Sequence, residues 1–377
     1  MRDGWVETSL GEIAEVIGGG TPSTTIPEYW DGEIVWLTPT EITSQDGKVV
    51  LDSIRKITDL GFKNSGAQML PKDSVILTSR ASVGYVALAG QDLCTNQGFQ
   101  SLIPKQSVLA KFLMFWIQHN RSEFASRSAG STFKEISKSN VKSIKIELPP
   151  LPEQKRIVDL ISSVDSYIEA LQHQLESAKR SRNAVLHELL TAGGDDWEQS
   201  SLGKLLTLEY GKPLTEENRD GMGFPVFASA GVVGLHSEPL VSNSPVIVVG
   251  RKGTAGAVHW SSTPCFVIDT AYFVKPISDI DLRFLYLLLG FIDLKSVTAQ
   301  TGVPGLNRDR AYSLKCNIPP KSEQLEVVAI VTQLDDFINS TQETINRSQD
   351  LRSGLLSDLL SGEHEIPVTY DKVMGAA

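Results

Sequence analysis

At 377 residues the chain is long enough for two or three domains, each with its own core. Its 41% hydrophobic and 21% charged residues are ordinary for a globular protein, no apolar run reaches the ~18 residues of a membrane span, and no apolar stretch follows Met1-Arg2-Asp3-Gly4-Trp5 to make a secretory leader. The net charge of −10 speaks against a nucleic-acid binder, but the acidity is concentrated: residues 321–377 hold 4 basic and 10 acidic residues, whereas residues 1–150 and 196–320 each come to −1.

Residues 5–150 read as a mixed, strand-rich unit. Short apolar runs, Glu33–Leu37 and Ser74–Thr78, are bounded by Gly, Pro, Asp and Ser, and Gly18–Thr24 is a loop. Thr78-Ser79-Arg80-Ala81-Ser82-Val83-Gly84 reads as a strand ending in an arginine and a small-residue loop. One cation with free backbone N–H groups suits a phosphate or a guanine edge, and a plain hairpin turn is the alternative. Asn96 and Gln97 are of the type that pairs with adenine edges, or else they cap a strand. Leu109 to Arg121 is one clear helix, with Leu109, Phe112, Leu113, Trp116 and Ile117 on one face. The segment Gly130–Ser137, with Ser131, Thr132 and Lys134, leads into Lys138, Lys142 and Lys145, a basic edge or simply a solvated one.

Pro149, Pro150 and Pro152 end this unit and forbid a helix running through them. From about Glu153 to Ala192, positions Ile157, Ile161, Val164, Ile168, Leu171, Leu175, Ala178, Arg182, Val185 and Leu189 are spaced alternately by four and three, a heptad seam over more than four heptads. About 38 residues make a rod near ~57 Å, stopped by Gly193-Gly194.

The chain then repeats. Trp5-Val6-Glu7-Thr8-Ser9-Leu10-Gly11 returns as Trp197-Glu198-Gln199-Ser200-Ser201-Leu202-Gly203, and Leu148-Pro149-Pro150 with Glu153-Gln154 returns as Ile318-Pro319-Pro320 with Glu323-Gln324. The arginine loop is matched by Gly250–Gly256, with Arg251, Lys252 and Thr254, placing Arg251 where Arg80 stood. Asn96-Gln97 is matched by Asp269-Thr270, and the basic segment by Thr301-Gly302 through Arg308 and Arg310. Tyr210–Lys212 is a further turn of interest. A second heptad seam runs through Val327, Val331, Leu334, Ile338, Thr341, Ile345, Ser348, Arg352, Leu355 and Leu359, with Gly362 after it. Arg182 and Arg352 fill the same seam slot, either to fix register or to snorkel outward.

The expected fold class is therefore α+β: two similar mixed α/β domains separated by two long antiparallel coiled-coil helices, with an internal pseudo-twofold repeat. Expected boundaries are 1–150 and 195–320 for the domains, 151–194 and 321–362 for the helices, and 363–377 for a tail. An object with two similar halves suits a target in two halves, and duplex DNA is one. Chemistry is missing from the motifs. The Pro-Pro pairs lack the preceding Asn/Asp and following aromatic of an amino-methyltransferase, no phosphate loop occurs, and Asp46-Gly47-Lys48 lacks an upstream acidic partner for a nuclease site. Cys94, Cys265 and Cys316 have no metal spacing and are expected as buried free thiols, Cys94 and Cys265 at similar strand positions. No catalytic or metal residue is expected.

The doubled plan, the Leu-Gly-Glu-Ile opening, the Pro-Pro-x-x-Glu-Gln hinge and the long heptad helices resemble the specificity subunit of type I restriction-modification systems over residues 5–362. That resemblance implies that each domain is a target recognition domain reading half of a bipartite site in double-stranded DNA. It implies that the helices set the spacing and dock two methyltransferase (modification) subunits, that restriction subunits join them, and that S-adenosylmethionine, ATP and Mg belong to the partners, with no cofactor in this chain. It also implies a cytoplasmic, non-membrane location. The alternatives from the residues are a coiled-coil scaffold without DNA readout and a stand-alone DNA-modifying enzyme.

Overall fold

A computed structural model describes residues 4–129, 134–298, 305–367 and 369–370. The chain divides into two compact units, Met1–Leu171 with Thr344–Ala377, and Gln172–Glu343. Each unit thus holds one strand-rich repeat and part of both long helices.

In the first unit the strands are β1 (Val6–Ser9), β2 (Ala14–Gly18), β3 (Trp30–Leu37), β4 (Val49–Val50), β5 (Arg55–Ile57), β6 (Val75–Leu77), β7 (Val86–Ala89), β8 (Cys94–Thr95), β9 (Gln100–Pro104) and β10 (Lys145–Leu148). They form a sheet in the order β2-β9-β6-β7-β4, a second in the order β5-β3-β8, and the pair β1-β10. In the second unit the strands are β11 (Glu198–Ser201), β12 (Leu206–Tyr210), β13 (Phe224–Ala228), β14 (Gly231–His236), β15 (Val246–Gly250), β16 (Val258–Ser261), β17 (Phe266–Val267), β18 (Ala271–Pro276) and β19 (Lys315–Ile318). Their sheets run β12-β18-β15-β16 and β14-β13-β17, with the pair β11-β19. The two repeats share one topology, and the first adds β4 at a sheet edge.

The apolar face of helix Ala110–His119 puts Phe112, Leu113, Trp116 and Ile117 into the same core as Val75, Leu77 and Leu102 of the large sheet. The helix is longer in expectation than in fact: Asn120 ends it, its Nδ2 donating to the Trp116 carbonyl at 2.9 Å, and a separate helix Arg121–Ser126 follows. Its counterpart in the second repeat, helix Leu282–Phe291, buries Phe284, Leu285 and Leu288 against Ile247 and Val249. Motif comparison missed this second helix, because a nearly continuous apolar run cannot be told from a buried strand by periodicity alone.

The long helices run Leu151–Thr191 and Lys321–Leu360. In the first unit Ile157 and Ile161, early in one helix, share a core with Leu356 and Leu359, late in the other. In the second unit Leu186 and Leu190 share a core with Val327 and Val331. Within each unit the helices are therefore antiparallel. The first seam has Ile157, Ile161, Ile168 and Leu175 buried, with Val164 and Leu171 half-buried; the second has Val327, Val331 and Ile345 buried, with Leu334, Ile338 and Leu355 half-buried. Leu186 and Leu356, off the heptad slots, are also buried, because there the helix faces its own domain as well as its partner helix.

Candidate nucleic-acid interface

The hinge is one device built twice. The Trp5 indole Nε1 donates to Glu153 Oε2 at 3.1 Å, and Trp197 Nε1 donates to Glu323 Oε2 at 3.0 Å. Gln154 Oε1 accepts from the N–H of Leu109, the residue before helix Ala110–His119, at 2.8 Å. Gln324 Oε1 accepts from the N–H of Asp281, the residue before helix Leu282–Phe291, at 2.8 Å. The same two glutamines donate through Nε2 to Pro149 O at 2.8 Å and Pro319 O at 3.0 Å. The Trp…Pro-Pro-x-x-Glu-Gln repeat is thus a clasp that satisfies helix-end groups with no intrahelical partner. Arg182 and Arg352 are resolved as cross-helix pairs. Arg182 Nε lies 2.8 Å and Nη2 3.3 Å from the carboxylate of Asp335. Arg352 grips Asp165 in the same two-pronged way, Nη2 to Oδ2 at 3.2 Å.

The candidate loops, scattered in sequence, converge in each repeat. Ser79 N–H donates to Gly98 O at 2.8 Å, and Ile136 N–H donates to Ser79 O at 3.0 Å. This brings the arginine loop, the Asn96-Gln97 turn and the segment from Lys134 together. Gly20 N–H donates to Thr95 O at 2.9 Å, adding the Gly18–Thr24 loop, and Thr21 Oγ1 donates to Gln97 Oε1. A Cβ on Gly19 would sit 2.1 Å from the Asn96 carbonyl oxygen, and one on Gly211 2.1 Å from that of Ile268, so both approaches require glycine. In the second repeat Arg251 and Lys252 N–H groups donate to Thr270 O at 2.9 and 3.1 Å, Leu306 N–H to Arg251 O at 2.8 Å, and Lys212 N–H to Val267 O at 3.0 Å.

These bonds bear out the match of Thr78–Gly84 with Gly250–Gly256 and correct the pairing of the two arginines within it. Thr78 donates to Tyr85 O at 2.9 Å and Gly250 to Ala257 O at 2.7 Å, while Gly84 and Gly256 donate back to Thr78 O and Gly250 O. Thr78 therefore matches Gly250, and Arg80 matches Lys252, not Arg251. Ala81 and Gly253, next along, both have positive φ, +59° and +77°. Likewise Gly98 matches Thr270, so Gln97, rather than Asn96, matches Asp269. Cys94, at the start of β8, matches Phe266 rather than Cys265. A one-residue slip matters because neighbouring residues on extended chain point to opposite faces.

Candidates then sort by exposure. Arg80 and Lys252 are exposed, and Arg80 Nε pairs with Glu135 at 2.9 Å in a surface ion pair worth under about 1 kcal/mol. Lys134, Lys138, Arg310, Thr254, Gln97 and Lys212 are exposed, and Ser82, Asp269 and Arg308 are half-buried. Thr78 and Ser79 are corrections: both are 0% exposed, and Thr78 Oγ1 is spent inside the loop on Ser82 O and the Tyr85 N–H, so neither side chain reaches a ligand. Asn96 Oδ1 accepts from Gly98 N–H at 2.8 Å and closes its own turn. Thr270 Oγ1 is buried without a partner. Lys138 and Arg308 open matching short helices, capped by Ser137 and Asn307. Ser131, Thr132, Thr301 and Gly302 lie outside the described residues.

The second repeat adds an aromatic platform that motif reading did not assemble. The Arg251 and Arg308 guanidinium centres lie 4.9 and 5.0 Å from the Tyr210 ring, which meets the Tyr272 ring edge-on at 5.1 Å. Burial, followed by the neighbouring Tyr210, pushes the Tyr272 phenol above its ordinary value. Asp46 is structural, accepting from Val86 N–H at 3.0 Å and pairing with Arg121. The three cysteines are free and buried, and burial pushes Cys94 up to about 12 and Cys265 and Cys316 up to about 11. Among the described residues no helix is long and apolar enough to cross a membrane, and no group of three His, Cys, Asp or Glu gathers as metal ligands.

Two copies of one mixed domain, each with a cationic loop cluster and each clasped to a long helix, define a paired recognition protein. Comparison with known proteins gives that class its family. The family model described as "Type I restriction modification DNA specificity domain" matches twice, over residues 2–180 and 194–348. The chain is 38% identical to the specificity subunit of the type I restriction enzyme MjaIX of Methanocaldococcus jannaschii, covering 95% of this chain and 93% of that one. It is 24% identical to the EcoprrI specificity subunit of Escherichia coli over 89% and 88% of the two chains. In fold it is similar to the S subunit of a type I restriction-modification system from M. genitalium, with a TM-score of 0.61 at 18% identity over 94% and 96% of the chains. The chain belongs to the type I restriction-modification specificity subunits. Within that family it is the DNA-recognition component, not the catalytic one.

Proposed function

We propose that each repeat reads one half of a bipartite duplex site through its converged loops, and that the paired helices set the spacing between the halves. The observation that carries this reading is the repetition of one cationic cluster, Arg80 with Lys138 and Lys252 with Arg308, at matching positions of two homologous domains. Exposed Arg80, Lys138 and Lys252 and half-buried Arg308 suit phosphate positioning, with base readout added by neighbours. The helices carry two modification subunits, which supply methyl transfer from S-adenosylmethionine. Restriction subunits use ATP and Mg, and this chain holds no cofactor of its own. Its work is in the cytoplasm, where the host's DNA is.

The test is methylation. The purified chain should transfer no label from S-adenosylmethionine to DNA and cut none, whereas the chain co-expressed with its modification subunit should methylate a two-part consensus. Sequencing modified adenines with and without this gene reads the outcome. Label transfer by the chain alone, or an unchanged methylation pattern without the gene, would overturn the proposal.

A further inference from the structure

The two repeats carry different side chains at equivalent points of the cluster. The bonds described above put Ser79 with Arg251, and Arg80 with Lys252. Strand register puts Gly18, opposite Gln100, in the places of Tyr210, opposite Tyr272. The capped short helices put Lys138 with Arg308. Two positions are therefore cationic in both halves, Arg80/Lys252 and Lys138/Arg308. Positions that change character include Gly18/Tyr210, Gly20/Lys212, Ser79/Arg251, Gln97/Asp269, Gln100/Tyr272 and Asn140/Arg310.

A duplex offers both domains the same sugar-phosphate backbone and different base edges. Contacts that hold the backbone can be shared, whereas contacts that read bases must differ between domains with different half-sites. Of the cations at positions that change, Lys212 and Arg310 are exposed, whereas Arg251 is half-buried and held. Its Nη1 donates to Asp269 O at 2.8 Å, and its guanidinium lies 4.9 Å from the Tyr210 ring and 6.0 Å from the Tyr272 ring. It lines a surface cleft of about 360 Å³ with Lys252, Asn307 and Arg308. Among the described residues no carboxylate forms an ion pair with it. One N–H is spent on holding the side chain, and the rings of Tyr210 and Tyr272 flank the group, which leaves further donors beside the cleft. A fixed guanidinium fork matches O6 and N7 of guanine, while a phosphate asks only for a nearby charge, as exposed Lys252 supplies.

We infer that Arg251 reads a guanine edge in the second half-site, with Tyr210 and Tyr272 as positioning residues, while Arg80/Lys252 and Lys138/Arg308 hold phosphates common to both halves. This rests on the DNA-reading function proposed above.

The test uses the complex of this chain with its modification subunits, and as probe the genomic DNA of a host lacking adenine methylation. Methylated sites are sequenced for wild type, Arg251→Ala, Arg251→Lys and Lys252→Ala, and affinity is measured against salt. Both Arg251 variants should relax one G·C position in one half of the consensus by about tenfold or more and leave the other half intact. Lys252→Ala should keep the consensus, weaken binding to every duplex, and lower the salt slope by about 1. A consensus unchanged in both Arg251 variants, or a base position relaxed by Lys252→Ala, overturns the inference. If Arg251→Ala does not assemble, Arg251→Lys, which keeps the charge and the stem, decides. A wild-type complex with no two-part consensus overturns the function itself, whereas a wild-type consensus that the Arg251 variants leave unchanged overturns only this inference.

Discussion

Trp5, Glu153 and Gln154 show how much a single clasp can hold. Gln154 is fully buried, and its amide satisfies the Leu109 N–H and the Ser107 and Pro149 carbonyls. Replacing it by leucine keeps the volume but strands three backbone groups, each of which costs more to leave unmet than its bond contributes. Gln154→Leu should lose about 1–3 kcal/mol, measured as a shift of the urea midpoint at unchanged slope. Gln324→Leu should do the same for its own repeat. A loss no greater than that of an exposed glutamine substitution would show the clasp to be dispensable. The motif was legible in the sequence as a doubled spacing. What glutamine does there was not, because Leu109 and Asp281 lie 45 and 43 residues from their partners.

At the scale of elements, the seams needed only spacing to be read, since apolar side chains at alternating three and four steps share one stripe. The arginine in each seam left two readings open, and only the facing helix closed them, with Asp335 opposite Arg182 and Asp165 opposite Arg352. Bidentate, partly buried pairs of this kind fix orientation as well as contributing energy. Asp335→Ala should destabilise the protein by about 1–3 kcal/mol and Asp165→Ala by a similar amount. In a double-mutant cycle with Arg182→Ala the coupling should be favourable and clearly above the few tenths expected of a surface pair. A coupling near zero would mean that the arginine merely snorkels. In the domains the strands were legible only in part. Short β4, β8 and β17, of two residues each, have no periodicity to detect and owe their existence to a neighbouring strand.

At the scale of the whole chain, a doubled domain and two helices of 41 and 40 residues make spacing the property to test. Adding one heptad to each long helix at matching places keeps both seams continuous and lengthens each helix by ~10 Å. The spacer of the methylated consensus should then grow by roughly three base pairs, with both half-sites unchanged. An active variant with an unaltered spacer would show that the helices do not measure the distance. The concentration of acidic residues in 321–377 belongs to this scale too. It leaves each domain near neutral, so affinity for arbitrary DNA should be weak without the partner subunits.

The sequence by itself determined the doubled plan, both long helices with their seams, the hinge positions and the segments from which a nucleic-acid surface would be built. All of these are local in spacing or repeat at a fixed distance, which is why they survive without coordinates. Only the tertiary structure decided that four segments between Gly18 and Lys138 meet at one place, that Thr78 and Ser79 face inward, and that Gln97 rather than Asn96 stands where Asp269 does. Those facts depend on which backbone groups pair across the sheet. Side chains alternate from face to face along an extended chain, so a register off by one residue exchanges the inside for the outside, and no motif comparison between two diverged copies fixes register to a single residue.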